Sequence, residues 1–69
     1  MNTTIMDWLE QHGVTTCSGL KSNEAFRNFI GELFPNKTEE EIVQKIRQCC
    51  IAMSNLEEFS ACLATGLSN

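Results

Sequence analysis

The chain has 69 residues, 42% of them hydrophobic, and a formal net charge of −4 at pH 7. A chain this short buries only about 60% of the surface it exposes when unfolded, so it holds one small core and residues 1–69 read as a single helical domain. Its five basic residues, Lys21, Arg27, Lys37, Lys45 and Arg47, are nowhere adjacent, which disfavours attachment to nucleic-acid phosphates.

The N-terminus carries no basic region followed by an apolar run, and no apolar stretch is long enough to cross a bilayer. A soluble product of the cytoplasm is therefore expected. Asn2-Thr3-Thr4 and Asn36-Lys37-Thr38 match the glycosylation pattern, which matters only in a secreted chain.

The first helix is expected over residues 4–12. Thr3 or Thr4 is placed to cap it, Ile5, Trp8, Leu9 and His12 share one face, and Gly13 is a stop. The stretch from Val14 to Gly19 then turns, because threonine, serine and glycine compete with regular structure. A second helix follows over residues 23–34, capped by Ser22, with Phe26, Phe29, Ile30, Leu33 and Phe34 on an aromatic-rich face. Glu24 and Arg27 are spaced to pair on it. Gly31 costs this helix about 1 kcal/mol against alanine, which suggests a close helix neighbour. Pro35 ends it.

The third helix has the strongest signals. Thr38 and Glu41 have the spacing of a capping box, with Glu39 and Glu40 at the end of the dipole that favours negative charge. Ile42, Ile46, Cys49 and Met53 line one stripe, Val43 and Cys50 form its shoulder, and Glu41 can pair with Lys45. Ser54 and Asn55 interrupt the run. Asn55 with Glu58 starts a fourth helix whose face is Leu56, Phe59, Leu63 and Leu67, with Gly66 as its stop and Ser68-Asn69 fraying. No period-two run suggests a strand. The expected fold is all-α, a compact bundle of about four short helices that must bury their faces against one another.

Four cysteines allow three disulfide pairings. Cys49 and Cys50 are adjacent in a helix, where side chains diverge by about 100° and cannot bond each other well. In a cytoplasmic chain, free buried cysteines acting as small hydrophobes are the expectation. Zinc would need His12, Cys17, Cys62 and one of the adjacent pair to converge without the usual paired-cysteine spacing, so no metal is expected.

Nothing else in the sequence builds chemistry. His12 is the only histidine; Cys17 lies near it as a conceivable thiolate partner, but a histidine packing at a helix C-terminus explains it better. There is no calcium loop, no phosphate-cradling glycine sequence and no nucleophile elbow. We expect no catalytic residue, no cofactor and no enzyme. A helix-turn-helix would present three glutamates to DNA at the head of its recognition helix, with only Lys45, Arg47 and Gln48 to offset them.

The pairs Trp8-Leu9 and Gly13-Val14 resemble the start of a sterile-alpha-motif domain, a five-helix interaction module. The likeness stops there, since the aromatic-rich second helix departs from that family's several shorter elements, and membership is not inferred.

Two apolar residues fall off the helical stripes. Ile51 lies nearly opposite the centre of the third helix's stripe, and Met6 lies to one side of the first's. Either the neighbouring elements wrap these helices on two sides, or Ile51, Met6 and nearby Arg47 form a patch that binds a partner protein. The expected function is a small non-catalytic regulator, inhibitor or adaptor of the kind phages and mobile elements encode. The alternatives are a homo-oligomeric scaffold using Ile51, Met6 and part of the Phe29–Phe34 face, and, behind it, a cysteine-dependent metal or redox protein.

Overall fold

The computed structural model describes residues 2–68, and among these it contains four α-helices, one 3-10 turn and no strand. The all-α bundle expected from periodicity is the observed fold.

Helix α1 spans Asn2–Gln11. It starts ahead of both Thr3 and Thr4, which fall within the helix rather than before it. Its end is built as expected. Gly13 takes a positive φ of 69°, the Gly13 amide donates to the Glu10 carbonyl at 3.2 Å, and the Val14 amide donates to the Leu9 carbonyl at 2.9 Å. These are the two bonds of a Schellman motif, which satisfies carbonyls left open by the last turn.

The following segment closes on a 3-10 turn at Leu20–Ser22, entered through Gly19 at φ 84°. Leu20 drops into the core. Helix α2, Glu24–Leu33, is capped by Asn23 rather than Ser22: the Asn23 side chain accepts from the Phe26 amide at 3.0 Å. Ser22 is spent in the preceding turn, where its own amide bonds Gly19. Arg27 also departs from expectation. Instead of Glu24 it reaches the Lys21 carbonyl at 3.0 Å and Glu39 at 3.4 Å, tying α2 to the loop before it and to the head of the next helix.

Helix α3, Glu39–Ala52, has the predicted capping box. The Thr38 hydroxyl accepts from the Glu41 amide at 3.1 Å, and the Glu41 carboxylate accepts from the Thr38 amide at 2.9 Å. The Thr38 amide, then its hydroxyl, and the nearby Lys37 charge hold the Glu41 carboxyl below its ordinary value. That carboxylate is committed to the cap; Lys45 bonds Gln48 at 3.3 Å. Helix α4, Leu56–Leu67, is capped by Asn55, which accepts from the Glu58 amide at 2.8 Å. Gly66 does not stop it. The helix runs on to bury Leu67, and Gly66 instead makes room for the Lys45 stem, whose Cδ would lie 2.6 Å from a Cβ added there.

The core collects Ile5 and Leu9 from α1, Leu20, Phe26 and Ile30, the α3 stripe Ile42, Ile46 and Cys49, and Phe59, Leu63 and Leu67 from α4. Helix α1 packs chiefly on α4, which also packs on α3, while α2 closes over α3. Phe26 touches two layers at once, with ring centroids 5.2 Å from Trp8 and 6.4 Å from Phe59. Phe34 is buried and Phe29 stacks on Trp8 at 5.6 Å. The Phe29–Phe34 face expected of a scaffold interface is thus largely turned inward.

Gly31 faces α3, but the approach is loose. A Cβ there would sit 3.9 Å from the Ile42 Cδ1, an ordinary contact. Gly31 is therefore not required by packing, and Gly31→Ala is expected to stabilise the protein by about 0.5–1 kcal/mol through helix propensity alone. Urea unfolding checks this; a destabilised variant would mean α2 and α3 approach more closely than described.

Candidate docking site

The site begins with two adjacent cysteines. All four cysteines are paired, Cys17 with Cys50 and Cys49 with Cys62, and none is free. This corrects the expectation of free thiols, and the reason lies in the helix itself. The divergence that prevents Cys49 and Cys50 from bonding each other aims them at different neighbours. Cys49, on the core stripe, meets Cys62 of α4 with Cα atoms 5.9 Å apart. Cys50, on the shoulder, meets Cys17 of the loop after α1 at 5.7 Å. Both separations fall within ordinary disulfide geometry.

The Cys17–Cys50 bond draws the loop and its 3-10 turn against the last turns of α3. Cys17, Ser18, Gly19 and Lys21 on one side, with Arg47 and Ile51 on the other, then border a hollow of about 220 Å³. Cys50 and Ile46 complete its lining. Ile51 stands about 180° around the helix from Ile42, and no element covers that side. It is 79% exposed, and among the described residues it is the one exposed large hydrophobic side chain. Arg47, one turn earlier, shares its face.

Met6 does not join this group. It is half-buried on α1 and packed against the core, and it does not line the hollow. Lys21 and the Cys17–Cys50 floor escaped sequence reading, because only the tertiary disulfide places that loop beside α3. The cation spacing along the chain holds no signal of it.

The other candidate chemistry resolves into structure. His12 lies just past the end of α1, its ring stacked on Trp8 at 3.8 Å and its Nδ1 2.9 Å from the Trp8 carbonyl, where the N–H tautomer donates. That is the packing role expected of it. Cys17 cannot serve as a thiolate partner while bonded to Cys50. The cysteines of the zinc ligand set are likewise tied up in disulfides, and among the described residues no group of three histidine, cysteine or carboxylate side chains converges. No helix among them is long and apolar enough to cross a membrane.

The electrostatics of the hollow are opposite to those of the chain. Nine acidic residues give the protein its net charge of −4, yet no carboxylate lines the hollow, whereas Lys21 and Arg47 both do. Among the described residues neither cationic side chain has an ion-pair partner, whereas Arg27 pairs with Glu39. The arrangement offers an apolar centre between two unneutralised cations.

Family models, curated proteins and solved structures were compared with the chain, and none matches.

Proposed function

We propose that this chain is a small non-catalytic protein-binding factor, a regulator, inhibitor or adaptor that docks on a partner protein through the face around Ile51. The observation that carries the reading is the 79% exposure of Ile51, the one exposed large hydrophobic side chain among the described residues. Fully burying an isoleucine is favourable by about 1.5–3 kcal/mol, and a partner can realise that gain where the fold does not. The rigid setting supports it further, since a disulfide fixes the loop opposite Ile51 and leaves little to order on binding. The same bonds favour an oxidising compartment over the cytoplasm expected from sequence, because thiols are kept reduced in the latter.

The test uses Ile51→Glu. Because the side chain is exposed, the variant is expected to fold and to melt within a few degrees of the parent, at a cost of about 0.5 kcal/mol or less. Used as paired baits in extract of the native host, parent and variant should differ by one specific protein that only the parent retains. A partner held equally by both, or no specific partner for either, would refute docking through this face. An unfolded variant would place Ile51 in the core instead.

A further inference from the structure

We infer that the hollow beside Ile51 takes an acidic protein segment presenting a single apolar side chain. This rests on the docking reading above and names the chemistry of the partner. The apolar side chain seats against Ile51 over the Cys17–Cys50 disulfide, and carboxylates flanking it in sequence meet Lys21 and Arg47.

Three observations carry the assignment. The first is size. At about 220 Å³ the hollow lies below the usual range of small-molecule pockets, roughly 300–1,000 Å³, and suits one aliphatic or thioether side chain. The second is charge. Lys21 and Arg47 are two of only five basic residues, both border the hollow without a carboxylate among its lining residues, and neither has an ion-pair partner among the described residues. Complementary charge steers encounter and rejects partners of the wrong sign.

The third observation separates a foreign segment from a second copy of the chain. A two-fold contact centred on Ile51 is isologous. It would face Lys21 and Arg47 of one copy with the same cations of the other, with no lining carboxylate to offset them. A nucleic acid is disfavoured for a different reason, since two isolated cations around an apolar centre do not follow a phosphate backbone.

A selection experiment tests the inference without knowledge of the natural partner. A random peptide library displayed on phage is panned against the oxidised protein, and in parallel against Ile51→Glu and against the double variant Lys21→Glu with Arg47→Glu. All three changes are at exposed positions, and circular dichroism verifies that each variant is folded. The expected result is enrichment of peptides with aspartate or glutamate within a few residues of leucine, isoleucine, methionine or phenylalanine. These should bind each variant at least about tenfold more weakly, and should weaken several-fold as salt rises from about 50 mM to about 500 mM. Peptides that need Ile51 but lack acidic residues, or that ignore the charge reversal, overturn the acidic partner and leave docking intact. Failure to select any peptide dependent on Ile51 overturns both.

Discussion

Reduction of both disulfides is expected to leave the protein largely unfolded near 37 °C. A cross-link restricts the unfolded chain in proportion to the logarithm of the loop it closes. For the separation of 33 residues between Cys17 and Cys50 the loop-closure relation gives about 3.7 kcal/mol. For the separation of 13 between Cys49 and Cys62 it gives about 2.9 kcal/mol. At 0.05–0.15 kcal/mol per residue, a 69-residue domain has a total stability of about 3–10 kcal/mol. The two cross-links together are thus comparable with everything the fold has to lose. Thermal melts followed by circular dichroism, with and without a phosphine reductant, measure the effect. A reduced protein melting within a few degrees of the oxidised one would show that packing alone holds the bundle. The cysteine-to-alanine pairs can then be compared separately, and the 17–50 pair is expected to cost more. Because that bond also forms the floor of the hollow, its removal should abolish peptide binding even where the fold survives.

Truncation of Phe26 is the second large effect. Its ring is fully buried and lies between Trp8 of α1 and Phe59 of α4, so Phe26→Ala opens a cavity at the junction of three helices. Such changes cost about 3–5 kcal/mol, the lost transfer free energy adding to a cavity that the surroundings fill only partly. In this small core that is a large share of the total. Urea unfolding of the oxidised protein checks it, with Phe26→Leu expected to lose markedly less. A loss below about 1 kcal/mol for the alanine variant would mean the three helices collapse into the space, in contrast to the rigid packing described.

The parts of the fold legible in the sequence were those decided locally. The Thr38–Glu41 capping box, the Ile42–Ile46–Cys49 stripe and the Asn55 cap all involve residues within one or two turns, where spacing along the chain is spacing in space. The misread positions are those where a distant element decides. Ser22 and Asn23 are comparable caps, and the choice fell to Asn23 because the 3-10 turn had already used Ser22. Gly66 reads as a stop, but the Lys45 stem from α3 fills the space above it and Leu67 anchors the chain beyond it. Thr3 and Thr4 could not be recognised as interior residues of α1, since periodicity marks the apolar face and not the first turn.

The candidate site divides the same way. Ile51 and Arg47 share a helix face, so the sequence could nominate both. Lys21 is brought to them by a bond between residues 33 apart in sequence, and Met6 belongs to another side of the bundle. The cysteine pairing itself is a statement about distances between elements. Adjacency could rule out a bond between Cys49 and Cys50 but could not say where either one points.

The adjacent cysteines also give the molecule an unusual mechanical layout. One covalent ring runs from Cys17 to Cys50 and a second from Cys49 to Cys62, fused at the peptide unit the two cysteines share. Helix α1 and the last turn of α4 lie outside both rings, with no cross-link to hold them to the rest. Pulled from its two ends, the chain would yield first where α1 slides from α4, and its further extension would then be limited by the fused rings. A single backbone cut within either ring would leave the chain in one covalent piece. The middle of this protein is tethered like a knotted cord, while its ends stay together only as long as their side chains fit.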